Sequence, residues 1–204
     1  MSKPPGTIAL VDYGAGNLRS VENALREVGA EVVVTRDPDL VRRADRVVVP
    51  GQGSMPECAA AMQQSGVADA LREAIGRGAP VLGICVGLQL LFEEGEEAGG
   101  AKGLGIIPGR IRRLPEGVKL PHIGWSPVRL VGARPAIFAP MDGAYVYFAH
   151  SYAAPADAPG VALVATHGTT YCAALARENL FAVQFHPEKS QKVGLALLER
   201  FVSI

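Results

Sequence analysis

Residues 79–92 read A-P-V-L-G-I-C-V-G-L-Q-L-L-F. The apolar run Pro80–Ile84 has the character of a strand buried on both faces. It leads through Cys85 into a second apolar piece, Leu88–Phe92. Gly83 and Gly87 stand two residues to either side of the cysteine. A chain that turns sharply from strand to helix forces the turning residue into an unfavourable backbone conformation. It also needs small neighbours where it passes close to itself. The stretch therefore predicts a nucleophile elbow with cysteine at its tip, at the carboxyl edge of a parallel sheet, where open α/β folds bind ligands. That position is a helix N-terminus, whose partial positive charge favours anionic sulfur. It leaves the Val86 N–H free to donate to an oxyanion. A cysteine in an apolar run is ordinarily a buried structural residue. The paired glycines weigh against that here, and a nearby base would weigh further.

Outward from this stretch, the first half alternates strand and helix signals. Ile8–Val11 is a short buried strand, followed by the turn 12–17, D-Y-G-A-G-N. Leu18, Val21, Leu25 and Val28 then fall at helical spacing, with Gly29 to end the helix. Glu31–Thr35 is β-branched and strand-like, and Asp37-Pro38 breaks it. Arg46–Val49 is a third strand, ending in Pro50-Gly51-Gln52-Gly53-Ser54, and one helical region is expected over about residues 55–77. This alternation predicts an α/β fold with a mostly parallel central sheet flanked by helices. The second half differs. Short strand-like pieces at 106–114, 127–130, 144–149, 161–167, 171–176 and 181–185 are separated by turn residues, so additional antiparallel strands are expected there. A final amphipathic helix covers about 190–201. The glycines of 94–105 read as a surface loop, and Glu93, Glu94, Glu96 and Glu97 as its solvated face.

At 204 residues, against roughly 150 per domain, the chain is expected to form a single domain over 1–204. Hydrophobic residues make up 49% and charged residues 20%, which excludes a disordered chain. Twenty Lys+Arg balance twenty Asp+Glu, so there is no basic excess to bind nucleic acid. Three cysteines are too few and too scattered for a disulfide framework. No apolar run is long enough for a signal peptide or a membrane span. A soluble cytoplasmic protein is expected.

Several motifs fail on inspection. Gly14-Ala15-Gly16 lacks the third glycine of a dinucleotide fingerprint, because position 19 is arginine. There is no G-x-x-x-x-G-K-[ST], no C-x-x-C and no G-x-S-x-G. His186-Pro187-Glu188 matches half of a zinc-deaminase signature, but the P-C-x-x-C half is missing. Of the four histidines, His122 and His167 lie in or beside predicted strands with no acidic residue close in sequence. His150 stands at a strand end. His186 does too, with Glu188 two residues later, where a carboxylate can fix the imidazole's tautomer and orientation. Cys85 and His186, each at a predicted strand terminus, favour a Cys–His–Glu triad over a structural cysteine and a simple turn.

With G-I-C-V-G-L-Q at 83–89 followed by F-H-P-E at 185–188, the chain resembles the triad-type, class I glutamine amidotransferases. More narrowly it resembles the glutaminase subunits of imidazole glycerol phosphate synthase. The narrower match rests on D-Y-G-A-G-N-L at 12–18, P-G-Q-G at 50–53, K-G-L-G at 102–105, P-H-I-G-W at 121–125, Y-F-A-H-S-Y at 147–152 and Q-F-H-P-E-K-S at 184–190. Gln52 and Ala149 depart from the residues common in that family. The resemblance implies a flavodoxin-like sheet and hydrolysis of glutamine to glutamate and ammonia. Cys85, His186 and Glu188 would be catalytic, and the backbone N–H groups of Gln52 and Val86 would form the oxyanion hole. Gln89, His150, Ser151 and Tyr152 would hold glutamine. It implies a separate (β/α)₈-barrel cyclase, joined as a heterodimer through Asn17, Trp125, Tyr147 and Lys189. That partner would use the ammonia to make imidazole glycerol phosphate and an aminoimidazole ribonucleotide in histidine biosynthesis. No cofactor or metal is expected, and neither nucleic acid nor membrane is a partner. A glutaminase serving anthranilate or pyridoxal phosphate synthesis, and a non-catalytic regulatory subunit of the same fold, stand as alternatives.

Overall fold

The computed structural model describes residues 6–14, 17–132 and 135–204. Ala15 and Gly16 of the 12–17 turn lie outside them. In chain order the elements are β1 (Ile8–Val11), α1 (Leu18–Glu27), β2 (Val32–Thr35), α2 (Pro38–Arg43), β3 (Arg46–Val49), α3 (Met55–Gln64), α4 (Val67–Gly76), β4 (Val81–Ile84) and the single turn α5 (Val86–Gln89). Then come β5 (Phe92–Gly95), β6 (Ala101–Lys102), β7 (Ile107–Arg113), β8 (His122–Pro127), β9 (Arg129–Leu130), β10 (Tyr145–His150), β11 (Tyr152–Ala153), β12 (Val161–His167), β13 (Thr169–Arg177), β14 (Leu180–Val183) and α6 (Gln191–Val202).

The main sheet runs β2-β1-β3-β4-β14-β13-β12-β9. Its first five strands are parallel neighbours, and the last three add on antiparallel. Every residue of β1, β4 and β14 is buried, as strands covered on both faces must be. The right-handed rule for parallel crossovers puts α1 on one face of this strand order and α2, α3 and α4 on the other. α1 accordingly packs against α6, and α2 against α4. α1 buries Val21, Ala24 and Leu25 and stops at Gly29, whose φ is +84°. There the N–H groups of Gly29 and Ala30 satisfy the carbonyls of Arg26 and Leu25.

Local chemistry redraws four of the expected boundaries. Asp37-Pro38 does not simply break a strand. Asp37 caps α2 by accepting the Asp39 N–H at 2.9 Å, and Pro38 takes the first helical position. The single helix expected over 55–77 is two, split where Gly66 adopts φ +73°. Residues 92–102 are not a plain loop but carry β5 and β6, with Phe92 and Gly95 inward and Glu93 and Glu94 outward. β8 begins at His122, earlier than the piece expected from Pro127, and pairs with β10 as a separate antiparallel ribbon.

Three neighbouring strands end side by side. β3 opens into Pro50–Gly53, β4 into Cys85, and β14 into residues 184–190, all at the carboxyl edge of the parallel sheet. α6 closes on the turn Pro187–Lys189 so tightly that a Cβ at Gly194 would overlap the Pro187 carbonyl oxygen. Gly194→Ala is expected to lower stability by about 1–3 kcal/mol, the usual cost of overpacking, read as a lower urea midpoint at unchanged slope.

Candidate active site

Cys85 sits between β4 and α5 with φ +54° and ψ −107°, a conformation that side chains other than glycine rarely adopt. Its N–H donates to the Val183 carbonyl at 2.8 Å, and its own carbonyl accepts from Leu88 N–H at 3.0 Å. The glycines flanking it are obligatory by space. A Cβ on Gly83 would come 2.8 Å from the Gly87 oxygen, and one on Gly87 would overlap the Val49 oxygen. A Cβ on Gly51 would come 2.7 Å from the Gly87 nitrogen. The Pro50–Gly53 loop therefore lies directly over the start of α5, where the Val86 N–H has no intrahelical acceptor. Two side chains hold this loop from below. The Tyr13 hydroxyl donates to the Pro50 carbonyl, and the Cys58 thiol donates to the Gln52 carbonyl at 3.7 Å. Burial pushes the Tyr13 phenol well above its ordinary value and the Cys58 thiol up to about 11, so both keep the protons they donate.

His186 follows β14, the strand hydrogen-bonded beside β4, with Val183 opposite Ile84. Its backbone is fixed twice: its N–H donates to the Tyr147 carbonyl at 2.9 Å, and its carbonyl accepts from Ser190 Oγ at 2.6 Å. Its Nδ1 meets Glu188 Oε1 at 2.9 Å, leaving Nε2 for the Cys85 sulfur. Burial alone would lower the imidazole's affinity for protons. The hydrogen bonds and charges of Cys85 and Glu188 outweigh it and raise the His186 pKa to about 10. A sulfur and an imidazole so placed can serve as nucleophile and proton donor in succession.

Both groups open onto a cavity of about 330 Å³. Gln52, Val86, Gln89, His150, Ser151 and Tyr152, proposed from sequence, all line it, and Glu188 stands behind His186. The proposed partner-facing residues lie outside it. Trp125 and Tyr147 form an edge-on pair at 6.0 Å across the β8/β10 ribbon, and the Lys189 ammonium sits 5.7 Å above the Tyr147 ring. Asn17 precedes α1.

Four residues of the site are not among those expected from sequence. Gln184, fully buried, brings Nε2 to 3.6 Å from Cys85 Sγ. Its spacing of two from His186 at the end of a strand, which puts both side chains on one side, is the signal that could have found it. Tyr13 holds the loop. Glu97, expected on a solvated face, instead lines the cavity and accepts the Met55 N–H at 2.7 Å. Tyr171, 2% exposed, joins two histidines. Its hydroxyl lies 3.3 Å from His150 Nε2 and 3.1 Å from His122 Nδ1.

The hydrogen-bond order fixes the tautomers of both rings. The Tyr152 carbonyl only accepts, so His150 Nδ1 carries the proton at 2.9 Å. His150 Nε2 then accepts from the Tyr171 hydroxyl, which accepts from His122 Nδ1–H. His122 Nε2 finally accepts from Ser126 Oγ at 3.0 Å. Both nitrogens of His150 are thus spent inside the protein, and it bounds the cavity as a wall without offering a free ring nitrogen. His122 and His167 stack at 4.1 Å. Among the described residues no group of three or more His, Cys, Asp or Glu is placed to hold a metal.

The profile of the family described as Glutamine amidotransferase class-I matches residues 9–204. The chain is 49% identical to imidazole glycerol phosphate synthase subunit HisH of Caulobacter vibrioides, covering 96% of this chain and 97% of that protein. It is 46% identical to the subunit of the same name from Geobacter metallireducens, covering 96% and 97%. Among solved structures, a protein titled glutamine amidotransferase superimposes with TM-score 0.74 at 18% identity, over 96% of this chain and 99% of that one. A chain of PurLQS from Thermotoga maritima gives TM-score 0.75 at 18% identity, over 98% of each. At such identities the structural likeness speaks for the fold.

The histidine network has a pH signature. Burial, reinforced by the neighbouring His167, lowers His122 from 6.5 to about 4. Burial lowers His150 to about 3. The unfolded chain takes up protons at these two rings that the folded chain refuses. Their stabilising contribution is therefore full above pH 6.5 and is lost as pH falls through about 4 and then about 3. The ring-proton NMR signals of His122 and His150 are expected to stay at neutral-imidazole positions from about pH 8 down to about pH 5, while unfolding midpoints fall below about pH 6.

Proposed function

The chain belongs to the class-I glutamine amidotransferases and, within them, to the family of imidazole glycerol phosphate synthase subunit HisH. We propose that its single amidotransferase domain works through the Cys85–His186–Glu188 triad and passes ammonia to a separate (β/α)₈-barrel cyclase in a heterodimer. It is a glutamine-hydrolysing enzyme subunit serving histidine biosynthesis. The shared name of these relatives favours this acceptor over anthranilate or pyridoxal phosphate synthesis. The filled triad disfavours a non-catalytic role.

The observation that carries the mechanism is the adjacency of β4 and β14, whose ends bring sulfur and imidazole to one cavity. An amide is a poor electrophile with a poor leaving group, so covalent catalysis divides its hydrolysis into two steps. The Cys85 thiolate attacks the side-chain amide carbon, and the carbonyl electron pair moves to oxygen. The Val86 and Gln52 N–H groups receive that oxyanion. When it collapses, the C–N bond breaks and His186 gives its proton to the departing nitrogen, releasing ammonia and leaving a thioester. His186, now neutral, takes a proton from water as the water attacks. The C–S bond then breaks, its electron pair returns to sulfur, and glutamate leaves. Glu188 orients the imidazole and stabilises its charged form. Gln89, Ser151 and Tyr152 hold the substrate, with His150 as a supporting wall.

For the partner surface, the β8/β10 ribbon presents Ile123, Trp125 and Tyr145 at 62%, 44% and 59% exposure. Apolar groups gathered in this way mark docking surfaces. Tyr147 of the same ribbon accepts the His186 N–H, so a partner seated there presses on the strand that holds the base. Lys189 and Asn17 complete the proposed contact. Ammonia leaving by a protein channel stays unprotonated, as a nucleophile must.

Cys85→Ala is expected to cut glutamine-dependent synthesis by about 10⁴-fold or more, while ammonium salts still support synthesis in the complex. Persistent glutamine turnover would refute the nucleophile. A second expectation concerns the partner: the isolated subunit hydrolyses glutamine slowly, and the cyclase with its nucleotide ligand raises the rate. Equal steady-state rates alone and in complex would remove the coupling.

A further inference from the structure

The buried amide of Gln184 lies against the nucleophile and has no part in the triad. Amide oxygen and nitrogen are told apart only by their partners, and here the partners decide. The Tyr152 carbonyl can only accept, so the atom of Gln89 that meets it at 2.9 Å is Nε2. The same Nε2 carries a second hydrogen and meets the Gln184 side chain at 3.2 Å, so Gln184 presents Oε1 there. Gln184 must therefore turn its other end, the NH₂ group, to Cys85 Sγ at 3.6 Å. A backbone carbonyl thus sets, through two amides in series, a hydrogen-bond donor aimed at sulfur. Gln184 is fully buried and lies beside His186 on the same strand end, so the donor is anchored and shielded from water.

We infer that Gln184 is a further catalytic residue, whose side-chain N–H stabilises the anionic sulfur of Cys85 before attack and again as the thioester breaks. The inference rests on the proposed triad. A hydrogen bond to a charged acceptor is about twice as strong as one to a neutral acceptor, so the donor favours thiolate over thiol. When the C–S bond breaks, the electron pair returning to sulfur meets the same N–H. Unlike His186, Gln184 gives no proton away, so its contribution survives the imidazole's change of state between the two steps. The other ionisable groups bearing on the sulfur are His186, Tyr13 and Cys58, with Glu97 on the cavity wall.

The test is alkylation of the full chain by iodoacetamide as a function of pH, read at Cys85 by mass spectrometry. Cys58 and Cys172 are both buried, and burial holds their thiols up at about 11 and about 12, so they leave the signal to Cys85. In Gln184→Met the pH of half-maximal alkylation is expected to rise by about one unit. Gln89→Met, which frees the Gln184 amide to turn over, should move it the same way by less. A half-maximal pH for Gln184→Met that coincides with wild type overturns the role, even if turnover falls. Should that variant not fold, the unsubstituted protein decides. Its Gln184 side-chain NH₂ resonances must shift on alkylation of Cys85, and unmoved resonances overturn the role equally. Failure of the triad itself looks different, because glutamine hydrolysis would then survive Cys85→Ala.

Discussion

The site depends on how closely the backbone at 83–87 passes its neighbours. Cys85 is held in a left-handed conformation that costs on the order of 1–3 kcal/mol and persists only where the surroundings over-determine it. Here they do. Its N–H is tied to Val183, its carbonyl to α5, and the β3 end runs so near that neither Gly83, Gly87 nor Gly51 has room for a side chain. The turn lifts the sulfur out of the strand and leaves the Val86 N–H beside it without an intrahelical acceptor. The proposed nucleophile and the proposed oxyanion donor are thus two results of one crowded crossing of β3, β4 and α5.

The proposed base is held by a different logic. His186 is not strained but clamped, by Tyr147 and Ser190 at its backbone and by Glu188 at its ring. Ser190 also accepts the Tyr147 N–H at 3.0 Å, so β10 grips the 186–190 segment at two points. That strand carries the exposed aromatic ribbon at one end and His150 at the other. The proposed docking surface and the pocket wall lie on one strand, and the proposed base is hydrogen-bonded to that strand between them. This gives the proposed partner a short mechanical route to the proposed chemistry.

Much of this is legible in the sequence because it is local. The parallel half of the sheet shows as buried apolar runs, the elbow as a cysteine between two glycines, and the orienting carboxylate as H-P-E. What is not legible is what distant segments bring together. Gln89 meets Tyr152 across 63 positions and Gln184 across 95. Tyr171 reaches His122 across 49. No spacing rule announces such partners, since they depend on the order of strands in the finished sheet. The misjudged boundaries are of another kind. Asp37-Pro38 and Ser65-Gly66 are punctuation that serves starts as well as stops. The acidic and glycine-rich 93–105 stretch hides a strand because only Phe92 and Gly95 face inward.

The neutrality of the histidine network sets the electrostatic character of the chamber. With His150 uncharged and no lysine or arginine on the wall among the described residues, the cation facing inward is the His186 imidazolium, already held by Glu188. Glutamine enters with an uncharged side chain and leaves as glutamate with a new carboxylate. In the proposed mechanism that carboxylate forms beside Cys85, with Glu97 on the same wall and no lysine or arginine among the described lining residues. The step from amide to carboxylate thus adds a negative charge to a chamber where, among the described lining residues, the facing cation is the ring of His186.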